Sequence, residues 1–186
     1  MKTIILALIT ALSVSGPARS DEVTDVIGEA LTAYQSGDIA GAKDDLQYAV
    51  ELIGQLKSAG LEAFLPAPLE GWERTIGDSS GEAAMAMFGG GSMATAEYTG
   101  LEGTFTITLT SDNPMLQGMM AMFSTTATMA MMGDLVRIQR EKFVIQNGTD
   151  ITGIIDQRVM VQATGSPIAA MQAHLEAMDL AALAAF

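Results

Sequence analysis

Thr104-Phe105-Thr106-Ile107-Thr108-Leu109-Thr110 alternates apolar and hydroxyl side chains without a break. Successive side chains of a strand point to opposite faces, so the run predicts a strand with one apolar and one threonine face. Isoleucine and threonine are β-branched and favour that backbone. Residues 94–99 have the same character, and Gly100-Leu101-Glu102-Gly103 between the two runs supplies a turn. The pair is therefore a hairpin, and the chain must build a sheet around it.

Downstream, Ser111-Asp112-Asn113-Pro114 reads as a helix start, with proline at the first helical position. A methionine-rich helix runs to about residue 123. Ser124-Thr125-Thr126 interrupts it and Gly133 ends it. Strands then return over 135–139, 142–146, 151–155 and 158–164. Arg140-Glu141, Asn147-Gly148-Thr149-Asp150 and Asp156-Gln157 mark the turns between them. Ser166-Pro167 leads into a last helix with the stripe Ile168, Met171, Leu175, Met178 and Ala182. Upstream of the hairpin, Leu65-Pro66-Ala67-Pro68-Leu69-Glu70-Gly71-Trp72 is a stiff, extended connector, and Trp72 opens a strand through Ile76. Residues 78–92 are rich in Gly, Ala and Met. They suggest a short helix over 83–88 and then the flexible Gly89-Gly90-Gly91.

Before the connector, Val23, Val26, Ile27, Ala30, Leu31 and Tyr34 recur at helical spacing, as do Ile39, Ala42, Leu46, Ala49, Ile53 and Leu56. Gly37-Asp38 ends the first helix and caps the second; Gly60 ends the second. The two form an αα-hairpin, expected to be apolar inside and acidic outside. The fold class is α+β: this N-terminal αα-hairpin, then a mostly antiparallel sheet of about six strands with packed helices on it. Residues 1–20 form a signal peptide, 21–60 the acidic helical hairpin and 61–186 the α+β domain, with 21–186 expected to fold as one unit.

Gly37-Asp38-Ile39, Ala42, Leu46 and Ala49 resemble one tetratricopeptide-type helical repeat, in a single copy. The proline-to-Gly71-Trp72 segment, the antiparallel strands and the final helix resemble the Mog1/PsbP-like sandwich, which implies an architecture and no activity. Pro68-Leu69-Glu70-Gly71-Trp72, the methionines from Met85 to Met93 and Asp179-Leu180 also resemble a group of small exported bacterial proteins. That resemblance implies no particular function.

Export follows from the first twenty residues. Lys2 is a positive n-region, residues 4–14 are an apolar run too short to span a bilayer, and Ala18-x-Ser20 offers a cleavage site. The destination is the periplasm where the envelope has one, and otherwise the exterior. The whole chain carries nine Lys and Arg against 22 Asp and Glu. Lys2 and Arg19 leave with the signal peptide and no acid does, so the mature net charge is near −15. That charge opposes nucleic acid and anionic membrane surfaces. The chain has no cysteine, which removes disulfides, thiolate metal sites and cysteine nucleophiles. No segment of the mature chain reads as a transmembrane span; residues 113–133 are uncharged but diluted by Pro114, Gln117 and Gly118.

No catalytic constellation assembles from these residues. Gly77-Asp78-Ser79-Ser80-Gly81 departs from a trypsin-type nucleophile motif at Ser80 and reads as a polar turn. Gly89-Gly90-Gly91-Ser92 lacks a following lysine and reads as a loop, and Asn147-Gly148-Thr149 as a hairpin turn. His174, the sole histidine, is expected to be partly exposed on its helix and cannot alone nucleate a zinc site. No cofactor is implied. The methionines stand apart. Met115, Met119 and Met122, at i, i+4 and i+7, could offer three thioethers to Cu(I), while the same residues also serve as core filler. The sequence thus suggests an exported binding protein with a protein partner at the acidic hairpin. A Cu(I)-binding protein and a hydrolase using a carboxylate pair are the alternatives.

Overall fold

The computed structural model describes residues 21–77, 91–113, 118, 119, 123 and 125–186. Helices α1 (Glu22–Ser36) and α2 (Ile39–Glu62) come first. Strands β1 (Trp72–Ile76), β2 (Ser92–Gly100) and β3 (Gly103–Ser111) follow. Helix α3 (Thr126–Met132) leads into β4 (Asp134–Ile138), β5 (Glu141–Gln146), β6 (Asp150–Ile155) and β7 (Val159–Gly165). Helices α4 (Ile168–Glu176) and α5 (Leu180–Ala184) come last. The class is α+β. The expected signal peptide over 1–20, the expected short helix over 83–88, Gly89-Gly90 and most of Gly77–Gly81 lie outside the described residues.

The chain divides into two compact units, one ending at Ala49 and the other beginning at Val50. In the second unit a single sheet has the order β1-β2-β3-β7-β6-β5-β4, all antiparallel. It has seven strands where the sequence suggested about six. Each half is a meander, β1 to β3 and β4 to β7. They join where β3 pairs with β7, from Phe105 opposite Gly165 to Ser111 opposite Val159.

The alternation in β3 acts as the sequence implies. Phe105, Ile107 and Leu109 are buried, and Thr104 and Thr106 are more exposed. Antiparallel partners share a face, so Ala96, Ile107, Ala163 and Ile151 form one row across β2, β3, β7 and β6. All four are fully buried. Leu61 and Leu65, Met171 and Leu175 of α4, and Leu180 and Leu183 of α5 belong to the same core. On the other face α3 lies against β4 and β5. Met129 is buried there, Lys142 Nζ donates to Thr126 Oγ1 at 2.8 Å, and Gln146 Nε2 donates to the Met132 carbonyl at 3.4 Å. The edge strands β1 and β4 are short and carry Glu73, Arg74, Asp134 and Arg137, which discourages pairing with other chains.

The β5–β6 and β6–β7 turns use left-handed backbone at both central residues. Asn147 (φ 55) and Gly148 (φ 70) close β5–β6, and the Thr149 N–H donates to the Gln146 carbonyl at 3.1 Å. Asp156 (φ 45) and Gln157 (φ 55) do the same for β6–β7, with Arg158 N–H donating to Ile155 at 3.0 Å. Such mirror-image turns match the twist of the strands they join. The single last helix expected from sequence is two helices. Asp179 accepts from the Ala182 N–H at 2.9 Å and caps α5. The break resets the helical phase, so Leu180 and Leu183 are buried and Ala182 is exposed.

Phe143 lies over Gly153, its partner on β6. A Cβ on Gly153 would stand 2.5 Å from Phe143 Cδ1 and 2.6 Å from Cε1, and the ring is fully buried with nowhere to move. Gly153→Ala is therefore expected to destabilise the protein by about 1–3 kcal/mol, the usual cost of overpacking. Urea denaturation would show this as a lower midpoint at unchanged slope; an unchanged midpoint would mean the ring does not hold this position.

Candidate functional site

The chain's only histidine is not partly exposed, as the sequence suggested, but fully buried. Position 174 follows Met171 by three and precedes Met178 by four, so it falls on the buried stripe of α4 itself. Its ring is edge-on to three aromatic rings, with centroids 4.8 Å from Tyr98, 5.0 Å from Phe105 and 5.6 Å from Trp72. Tyr98 and Phe105 stack on each other at 5.0 Å. The partners fix the tautomer. Nδ1 lies 2.8 Å from the Ala170 carbonyl, which can only accept, and Nε2 lies 3.2 Å from the Leu69 N–H, which can only donate. The ring is therefore neutral with its proton on Nδ1.

These bonds clamp the proline-rich connector. Tyr98 donates its hydroxyl to the Pro66 carbonyl at 2.7 Å, and Arg74 donates to the Leu65 and Pro66 carbonyls at 2.9 and 3.0 Å. Burial pushes the Tyr98 hydroxyl up to about 12, against a smaller opposing pull from Arg74. Burial also lowers the His174 pKa from its ordinary value. Among the described residues every buried side-chain nitrogen and oxygen has a partner, so the cluster presents no unmet donor or acceptor to a ligand. Its role is to hold the connector, the sheet and α4 together.

Of the candidate thioether ligands, Met119 is half-buried in a helical segment, and Met115 and Met122 lie outside the described residues. The other described methionines are scattered. Met129, Met171 and Met178 are buried in different parts of the sheet's packing, and Met131 is 87% exposed. Among the described residues no group of three or more His, Cys, Asp or Glu could hold a metal ion. Some of the acids enter local bonds. Lys57 pairs with Asp112 and holds its carboxyl below the usual range, and Asp150 accepts from Thr149 and Thr164 at 2.8 and 2.9 Å.

The hairpin unit is built differently. Asp21 accepts from the Thr24 N–H at 2.8 Å and caps α1, a bond that also lowers its own pKa. Gly37 (φ 89) ends α1, with Gly37 N–H donating to Tyr34 at 3.1 Å and Asp38 N–H donating to Ala33 at 2.9 Å. Asp38 then caps α2 by accepting from the Gly41 N–H at 3.0 Å. Tyr48 donates to Glu22 at 2.9 Å and ties the helices at their far ends. Within residues 21–49 the buried side chains are only Val26, Ala30, Ala42 and Ala49. The larger ones point out: Ile27 is 45% exposed, Leu31 56%, Tyr34 63%, Ile39 60% and Leu46 51%. The interior is apolar, as expected, but made of small side chains, and the exterior carries the bulky apolar residues as well as the acids. A buried methylene contributes about 0.8 kcal/mol, and an ordered residue loses about 1–2 kcal/mol of backbone entropy. One valine and three alanines do not offset that loss, so most of the unit's apolar surface is uncommitted.

No family model matches the chain, and no curated protein or solved structure matches it either.

Two measurements check these placements. A depressed His174 pKa means the unfolded chain binds a proton below about pH 6.5 that the folded chain refuses. The stability from the neutral ring is thus complete above that pH and is lost as pH falls from there toward the folded value. Urea midpoints are expected to fall between pH 7 and 5 in the wild type, and the His174→Gln difference to shrink over the same interval. A pH-independent difference would contradict the neutral, pinned ring. Under mild peroxide Met131 is expected to become sulfoxide well before Met129 and Met171; mass-spectrometric mapping reads the order.

Proposed function

We propose that this protein is an exported binding protein that docks a protein partner through the exposed apolar face of its N-terminal hairpin. The observation that carries the reading is the inverted packing of residues 21–49, with small side chains inside and Ile27, Leu31, Tyr34, Ile39 and Leu46 outside. Exposed apolar patches of several hundred Å2 mark interaction sites. Export rests on Lys2, the apolar run 4–14 and Ala18-x-Ser20. Among the described residues no helix is long and apolar enough to cross a membrane. Binding is favoured over hydrolysis because Asp21, Asp38 and Asp179 cap helices, Asp112 pairs with Lys57 and Asp150 accepts from two threonines, while Asp25 and Glu29 line only an open concavity along α1. Of the three thioethers proposed for Cu(I), Met119 alone is among the described residues.

A photoreactive amino acid placed at Leu31 or at Glu29 in the exporting cell tests the reading. Position 31 is expected to give a discrete protein adduct and position 29 none. Equal labelling at both positions, or none at 31, would remove the support for docking. The N-terminus of the exported protein is expected at or near Asp21, and a full-length form kept in the membrane fraction would overturn the export step.

A further inference from the structure

Resting on that reading, we infer that the occupant of the hairpin face is a second copy of the same chain, the two hairpins packing face to face as an antiparallel four-helix arrangement.

The face is continuous across both helices. On α1 the exposed residues Ile27, Leu31 and Tyr34 each follow an inward residue, Val26, Ala30 or Ala33, by one position. On α2 Leu46 follows the half-buried Asp45 by one position, and Ile39 precedes it by two helical turns. One position is a turn of about 100°. Because the helices run antiparallel, the same turn applied to both brings the two stripes to the same side of the hairpin. At roughly 100 Å2 each, five such side chains give about 500 Å2, so two copies reach the ~1,000 Å2 that a specific interface requires before any rim is counted.

The charge pattern selects the occupant. Residues 21–49 contain seven acids and one base, Lys43. Asp25 and Glu29 lie two positions from Ile27, and Asp44 two from Leu46, which places them on the opposite side of each helix. The flanks of the stripes are Thr24, Gln35 and Gln47, without a carboxylate. A cationic amphipathic helix would find no acid at these flanks and would meet Lys43 on the face itself. An apolar face of equal size with no more than one base fits, and the chain's own face, with Lys43 as its single base, has that chemistry. With Asp25, Glu29 and Asp44 turned away, a two-fold pairing does not force these carboxylates together.

The test uses the exported chain from residue 21 onward. Sedimentation is expected to give a dimer, and Leu31→Glu to weaken it by roughly 30-fold or more, while Glu29→Lys on the far side leaves it unchanged. Circular dichroism and the thermal midpoint establish that both variants are folded. As the chain lacks cysteine, Leu31→Cys and Glu29→Cys give a second measurement that does not perturb charge on the face. Oxidation is expected to yield a covalent dimer from position 31 only. A wild type that stays monomeric at 100 times its working concentration, or equal cross-linking at both positions, overturns the self-pairing. In that case a discrete adduct to a different protein from Leu31 in cells would still uphold docking, and no adduct at all would end both.

Discussion

The ladder between β3 and β7 is the contact on which the rest of the sheet depends. Each meander is local and closes through short turns, but neither buries its apolar face alone. Pairing Phe105–Ser111 against Val159–Gly165 sets Ile107 between Ala96 and Ala163 and Leu109 between Ala94 and Val161. That ladder spans roughly 50 residues of chain, a loop whose closure cost grows only logarithmically with length. Gly165, opposite Phe105 at one end of the ladder, permits the close approach. A Cβ on Gly165 would meet the Thr104 carbonyl at 2.5 Å and Phe105 Cα at 2.6 Å. Once the ladder is formed, the row through Ile151 becomes continuous, and α4 and α5 have a surface to cover.

The buried histidine follows from that surface. Phe105, at one end of the ladder, supports Tyr98 by stacking and Trp72 by a tilted contact at 4.9 Å. These rings exclude water from His174, while Ala170 and Leu69 use both of its nitrogens. An apolar residue there would fill the space but leave the Leu69 N–H unmet, and a buried unmet donor costs about 1–3 kcal/mol. The imidazole fits because it is flat, apolar on its faces and able to accept at one nitrogen while donating at the other. The same bond makes its protonation incompatible with the native connector.

Much of the sheet was legible because its signals are local. The Thr/Phe/Ile alternation, the Asn147-Gly148 and Asp156-Gln157 turns and the Trp72 strand start each depend on neighbours in sequence. The β3–β7 pairing was not legible, since nothing in either strand names its distant partner. The break before α5 escaped because Asp179 caps through a bond to Ala182 inside an otherwise helical, alanine-rich run. His174 was readable in principle: Met171, His174, Leu175 and Met178 make one i, i+3, i+4, i+7 stripe, but a polar residue in such a stripe is easily assigned to its edge. In the hairpin the apolar positions 26, 27, 30, 31 and 34 are too broad a band to show which half faces the second helix. The structure turns the small half inward, where alanines let the two backbones approach, and leaves the bulky half out.

That choice explains the acidity of the first unit. An exposed patch of Ile27, Leu31, Tyr34, Ile39 and Leu46 invites indiscriminate association unless something limits orientation. Carboxylates spread over both sides of the hairpin would hold all copies apart. Carboxylates confined to the side away from the stripes, as Asp25, Glu29 and Asp44 are, repel every approach except the one in which apolar faces meet. A face that can be used once, with charge behind it, supports a closed pair and opposes an open chain of contacts. The placement of Asp25, Glu29 and Asp44 away from the apolar stripes is thus a limit on how many partners can bind as much as on which partner does.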